Sequence, residues 1–320
     1  MQSMQSIVLS SLLPVILLIA IGFIACNEGW MRAEATKDLG RLVFMVLTPA
    51  LLFRTMSTVH VEQLDYKPVA AYFTALIALF LLMLALGRAT QRATVLALAA
   101  TFSNTVAIGV PLIGLAYGEA GMVSLFTIIS LHALVMLTMA TIALELAVAR
   151  QAARGNASPA AKTAWRRPVL AALRNGVLHP VPLPILLGLL FAQTGLVMPE
   201  VLDRPLQLMG NAMGPMSLLL VGATLASARI GHELKGAFGV SLLKNLLLPA
   251  LVALVGVLMG LHGLSLTVMV VTASLPIGAN VFMFSQRYHV AEELVTASVA
   301  VSTGLAIVTV SLVMALAQRL

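Results

Sequence analysis

Two short apolar stretches hold the residues whose types and spacing suit chemistry. Residues 101–116 read TFSNTVAIGVPLIGLA and bring together Asn104, Gly109 and Pro111; residues 272–285 read TASLPIGANVFMFS and bring together Pro276, Gly278 and Asn280. Proline has no N–H to donate, so the carbonyls of Ala107 and Thr272 lose their helical partners, and a nearby glycine lets the backbone leave helical angles at little cost. Each stretch is expected to be a broken helix. If Pro111 and Pro276 each begin a half-helix, the N–H groups of Leu112 and Ile113, and of Ile277, Gly278 and Ala279, are left free. A helix N-terminus carries about half a positive charge, so two such ends converging make a site for an anion of carboxylate size. One kinked membrane helix is ordinary, because proline and glycine are common there. Two breaks in matching parts of a chain point to a transport site.

The side chains around the breaks fit that chemistry. The amides of Asn104 and Asn280 can donate to a carboxylate or accept from a cation and are read as lining the site. The hydroxyls of Ser103, Thr105, Thr272 and Ser274 either add to a polar or ion-binding lining or bond carbonyls that the breaks release. Lys244 lies about two turns inside its segment and either brings a cation to the substrate or snorkels to the interface. His132 either titrates near neutral pH or serves as a hydrogen-bonded packing residue. Arg54, Glu145, Glu292 and Glu293 fall at segment ends and are read as interfacial, while Asn211, Asn245 and Gln286 are weaker polar candidates. No carboxylate falls convincingly at the membrane midplane, and there is no Walker A sequence, HExxH pair, GxSxG elbow or Cys/His cluster. The expectation is a non-enzyme without cofactor or metal centre.

The elements that position these residues must cross a membrane. The chain of 320 residues is 60% hydrophobic and 10% charged, with a mean hydropathy of +1.02, whereas a soluble globule carries about 25% charged residues. A single cysteine, Cys26, excludes an internal disulfide. A span needs about 20 apolar residues, which gives ten segments: 6–25, 39–57, 68–87, 94–116, 121–147, 177–196, 205–226, 237–260, 264–286 and 292–317. The first is read as a retained helix, since it lacks the basic leader of a signal peptide. Of the 19 lysines and arginines, only Arg54, Lys67, Arg204 and Arg319 fall on the side that shares the termini. The positive-inside rule places both termini outside, in the periplasm of a bacterial inner membrane. It also removes nucleic acid as a partner, because the basic residues are spread over five loops.

The longest hydrophilic stretch, 150–176, divides the chain into a first five-helix repeat (1–149), a short basic cytoplasmic loop and a second repeat (177–320). An odd number of helices inverts the second half. Proline spacing agrees: Pro49 precedes Pro111 by 62 positions and Pro215 precedes Pro276 by 61. Within the loop, residues 164–178 alternate basic and apolar positions at helical spacing, as either a surface helix with Trp165 at the lipid interface or a solvated connector. The fold class expected is an all-α polytopic membrane protein of ten helices, two inverted five-helix repeats, with helices 4 and 9 broken where they cross.

These strings resemble the auxin efflux carrier family, in its prokaryotic PIN-like branch. The likeness runs through LLPVILLIAIGF, LTPALLF, SNTVAIGVPL, GPMSLLLVGATL, KNLLLPALVAL, LPIGANVFMFSQRYHV and TASVAVSTGLAIVTVSL, in that order. The resemblance implies that broken helices 4 and 9 cross at the substrate site. It implies too that helices 1, 2, 6 and 7 form a scaffold, usually a homodimer, past which the other six move like an elevator. Substrates in such a family are organic anions, from indole acetic acid to malonate and malate. Pro111 and Pro276 match the crossover prolines; Asn104 and Asn280 fall in their polar surroundings. The long hydrophilic loop of the plant carriers is missing, which argues against their phosphorylation-type regulation. The related bile acid symporter fold binds sodium near the same crossover, so the coupling ion, Na+ or H+, is left open.

The reading that follows is a secondary or facilitative carrier of a small carboxylate. Its rivals are a sodium-coupled symporter of the bile-acid-symporter type, a membrane enzyme using His132 or Glu292, and a non-transporting sensor or scaffold.

Overall fold

The computed structural model describes residues 4–59, 66–154, 182–226 and 233–317. Thirteen helices run through them: α1 (Met4–Asn27), α2 (Ala33–Leu42), α3 (Thr48–Met56), α4 (Tyr66–Leu86), α5 (Gln91–Thr101), α6 (Val110–Arg154), α7 (Pro182–Gln193), α8 (Glu200–Ala226), α9 (Leu234–Leu242), α10 (Leu248–Leu258), α11 (Gly263–Ser274), α12 (Ala279–Tyr288) and α13 (Glu292–Ala317). The described residues contain no strand, and each of the ten apolar segments is occupied by helix. The protein is a polytopic all-α membrane protein, with six helical stretches long and apolar enough to cross a bilayer and shorter apolar helices beside them. The basic loop falls largely outside the described residues, apart from the end of α6, which continues to Arg154.

Proline writes much of the local geometry. Three wide π turns, Val43–Leu47, Thr105–Gly109 and Leu243–Leu247, each end two residues before a proline: Pro49, Pro111 and Pro249. A proline ring clashes with the carbonyl four residues back, and one wider turn relieves the clash without ending the helix. α2 and α3 thus form one rod, and so do α9 and α10. Pro205 and Pro215, by contrast, sit inside unbroken α-helix in α8. Proline spacing is therefore not matched by local form at Pro49 and Pro215.

Turns and ends follow equally local causes. Gly118, at φ 60° and ψ −154°, folds α6 back between its first short arm and its long second arm. This backbone region is accessible essentially only to glycine, and it falls where the fourth and fifth segments were expected to meet. α8 starts at Glu200 rather than 205, with Glu200 and Asp203 in its first turn, where acidic side chains favour the helix dipole.

The bundle packs by close contact of small residues as well as by apolar side chains. α1 lies on α8 so closely that a Cβ added at Gly22 or Gly222 would fall 1.9 Å from the carbonyl oxygen of Leu219 or Ile19. Such backbone approach drives helix association in lipid, where apolar burial gives little advantage. Leu76, Phe80, Leu98, Phe126, Val252 and Met269 fill the interior of α4, α5, α6, α10 and α11, whereas Leu86, Leu190, Leu258 and Leu312 are exposed on an apolar exterior suited to acyl chains.

Candidate functional site

The two broken helices cross and pair. Residues 102–104, between α5 and the π turn that leads into α6, run antiparallel to residues 276–278, between α11 and α12. Asn104 donates its N–H to the carbonyl of Pro276 at 2.8 Å, Gly278 donates to the carbonyl of Phe102 at 3.0 Å, and Ser103 and Ile277 form the bridge between them. The unwound backbone of each break thus satisfies the other, as backbone buried at membrane depth must.

The glycines explain how the strands come so close. A Cβ on Gly278 would lie 2.8 Å from the Phe102 ring and 3.1 Å from the carbonyl oxygen of Ser103; one on Gly109 would lie 2.7 Å from Leu275 Cδ1. Neither glycine has the positive φ that only glycine tolerates well. Their expected role, releasing the backbone from helical angles, gives way to leaving room for the opposite break.

The first break is held by neutral groups. His132, 1% exposed, accepts the N–H of Ser103 at Nε2 (3.2 Å), which leaves Nδ1 to carry the proton toward the Tyr72 hydroxyl at 3.5 Å. Phe102 packs against the imidazole with ring centroids 4.6 Å apart. Of the two alternatives for His132, the structure takes the hydrogen-bonded packing residue. From α8, Ser217 Oγ donates to the carbonyl of Ala107 at 2.9 Å and to that of Gly214 at 2.8 Å. The carbonyl expected to be released by Pro111 is therefore capped by another helix.

Pro111 itself does not begin the half-helix. The helix restarts at Thr105, six residues earlier, and the proline falls in its next turn. The amides of Leu112 and Ile113 are consequently inside continuous helix, contrary to expectation, while those of Val106, Ala107 and Ile108 in the first turn have no acceptor among the described residues.

The second break is held by a lysine. Lys244 is fully buried, and its Nζ donates to the carbonyls of Ala273 at 2.6 Å and Leu275 at 2.5 Å. It does not snorkel, and its donors point at backbone. Pro249 is the cause: the π turn it induces carries both Lys244 and Asn245 into the interior at 0% exposure. Asn245 Nδ2 donates to the carbonyl of Ser302 (2.9 Å) and to Thr309 Oγ1 (3.2 Å), and Ser302 Oγ accepts the N–H of Ile277 at 3.1 Å. Two of the three amides expected to be free at this break, Ile277 and Gly278, are thus occupied. Those of Ala279 and Asn280 have no acceptor among the described residues.

The hydroxyls divide. Thr272 Oγ1 donates to the carbonyl of Val268 at 2.6 Å and Ser274 Oγ to that of Val271 at 2.8 Å, so both serve their own helix. Ser103 and Thr105 are buried at the crossing, 1% and 5% exposed. The amide side chains of Asn104 and Asn280 make no hydrogen bond among the described residues and are only half-buried; Ala279 beside them is exposed. Asn104 and the amides of residues 106, 107 and 108 stand at one end of the pairing, Asn280 and the amides of residues 279 and 280 at the other. At about 3.4 Å per residue the two ends are roughly 7 Å apart. The positive helix ends flank the crossing, each beside the C-terminal end of the other broken helix, instead of meeting head to head.

The remaining charged residues lie elsewhere. Arg54 forms a bidentate pair with Asp203, at 2.7 and 3.0 Å, that ties α3 to α8. Glu292 bonds His289 at 3.1 Å in an open cleft of about 250 Å³ shared with Arg92 and Glu233, and no residue of the crossing lines that cleft. Among the described residues no group of histidine, cysteine or acidic side chains is arranged to hold a metal ion.

The profile of a family described as Membrane transport protein matches residues 7–314. The chain belongs to that family. The match bears out the resemblance to auxin efflux carriers over nearly the whole sequence. A Rhizobium meliloti (strain 1021) protein named "Putative malonate transporter" is 28% identical over 316 residues, covering 93% of this chain and 92% of its own. An Escherichia coli (strain K12) protein named "Uncharacterized transporter YfdV" is 22% identical over 306 residues, covering 93% and 94%. Two groups of this membrane transport protein escaped the sequence reading: Ser217 and Ser302, which close the breaks from other helices. Both lie in strings that carried the family resemblance, as small polar residues amid aliphatic ones.

Proposed function

We propose that this membrane transport protein is an alternating-access carrier of small carboxylates and that the crossing of its two broken helices binds them. The observation that carries the reading is the pair of asparagine amides, Asn104 and Asn280, half-accessible and without hydrogen-bond partners among the described residues, one at each end of the pairing. A buried polar group ordinarily finds a partner. Five backbone N–H groups without acceptors among the described residues, at 106, 107, 108, 279 and 280, add donors and partial positive charge, the usual elements of an anion site. Their division between two ends favours a dicarboxylate over a monocarboxylate, and the name of the Rhizobium relative makes malonate the first compound to try.

In this reading the two halves are inverted five-helix repeats in a bacterial inner membrane, both termini are periplasmic, and the six helices around the crossing move as an elevator past a dimeric scaffold of the first, second, sixth and seventh segments. The binding energy comes from neutral donors, with Lys244 acting on the backbone and not on the substrate. The test is uptake of radiolabelled malonate, malate and indole acetic acid into proteoliposomes under imposed sodium or proton gradients. Saturable uptake of a dicarboxylate, returned chemically unchanged, is the expected result. Absence of flux with every acid, from protein shown to be folded, would reject the reading; a chemically altered product would indicate an enzyme.

A further inference from the structure

We infer that Lys244 is a built-in cation. Its ammonium fills a monovalent-cation cradle formed by the carbonyls of Ala273 and Leu275, so the second break works without sodium. The inference rests on the carrier reading only for its consequence in transport; the cradle itself is a property of the fold.

Three observations meet at this point. The ammonium is wholly buried, yet no carboxylate lies within ion-pair distance of it among the described residues, where the ion pairs are Arg54 with Asp203, Arg92 with Glu233 and His289 with Glu292. A buried cation without compensation is costly, so its compensation must come from the backbone. The two carbonyls at 2.6 and 2.5 Å straddle the end of α11, which stops at Ser274. A helix C-terminus carries about half a negative charge and favours a cation within its last turn. Oxygen atoms of backbone carbonyls, converging on a buried point at a helix end, are also the ligands that alkali cations take where a membrane helix is broken.

The neighbouring side chain in the same turn faces another helix. Asn245, next in the same π turn and equally buried, keeps its Oδ1 without a hydrogen-bond partner while its Nδ2 is used toward α13. The cradle itself is thus the two carbonyls of Ala273 and Leu275, with a covalently attached ammonium occupying them. A free cation would have to displace it. Because the tethered charge is always present, the break is set for pairing with the first one without an ion gradient, and substrate movement is uncoupled from sodium.

The experiment compares the wild type with Lys244→Ala, which empties the cradle, and Lys244→Met, which fills the same space without charge. Melting of the purified full chain in nanodiscs, in sodium, lithium, potassium or choline chloride at equal ionic strength, needs no substrate and so reads the cradle even if the carboxylate assignment fails. The wild type should melt at the same temperature in all four salts. Lys244→Ala should melt lower in choline and regain about 3 °C or more in one of the alkali salts, whereas Lys244→Met should gain nothing. In proteoliposomes, wild-type uptake should proceed equally with sodium or choline outside. Stabilisation of the wild type by sodium, sodium-dependent uptake, or indifference of a folded Lys244→Ala to every alkali cation would overturn the inference. If neither variant folds, the wild-type comparison still decides: sodium-dependent melting or uptake counts against it and salt indifference for it.

Discussion

The two breaks solve one problem by different chemistry. At the first, His132 takes the N–H of Ser103 and Ser217 caps the carbonyl of Ala107, so neutral side chains close the backbone. At the second, Ser302 takes the N–H of Ile277 and the Nζ of Lys244 spans the carbonyls of Ala273 and Leu275. What they share is the part left open among the described residues: one asparagine amide on each side, with three helix-start N–H groups at the first break and two at the second. The closing groups differ while the open groups are alike in kind, which separates the groups that hold the crossing from those proposed to meet a substrate.

That separation can be broken first at the charged side. Lys244→Met strands two carbonyls inside the protein, and each buried group without a partner costs about 1–3 kcal/mol. It should give the largest fall in melting temperature. Gly278→Ala comes next, because its Cβ would meet the Phe102 ring and the Ser103 carbonyl, and overpacking costs about 1–3 kcal/mol. Gly109→Ala should be milder, since it meets only the tip of Leu275. His132→Phe keeps an aromatic ring against Phe102 but removes the acceptor for Ser103, and should cost about 1–3 kcal/mol by the same count of one stranded group. If His132→Phe proved more damaging than Lys244→Met, the contrast between a neutral and a charged closure would be reversed. At the small end, Asn104→Ala and Asn280→Ala remove side chains that make no hydrogen bond among the described residues, so each should move stability by less than about 0.5 kcal/mol.

Much of this arrangement is legible in the sequence, and the part that is not has a physical reason. The paired prolines, glycines and asparagines locate both breaks, and apolar length finds every helical segment, because both signals are local. The exact restart of the first broken helix is not local. Pro111 is tolerated within a helix once a π turn relieves its ring, so the unwinding shifts to residues 102–104, where the opposite strand offers hydrogen bonds. The orientation of Lys244 escapes for the same reason: a regular helix read from 237 onward puts it near the interface, while the turn widened by Pro249 brings it inward. Partners such as Ser217 and Ser302 lie over 20 positions from the groups they satisfy, and no spacing rule reaches them.

The central claim is that the two asparagine amides face the substrate and nothing else. Its most direct test is one paired measurement on Asn104→Ala combined with Asn280→Ala: melting temperature and malonate uptake from the same preparation. Each amide lost from a charged ligand should cost about 1.5 kcal/mol or more, so uptake efficiency should fall about a hundredfold with melting unchanged. Undiminished uptake from the doubly substituted, fully folded protein would contradict the account.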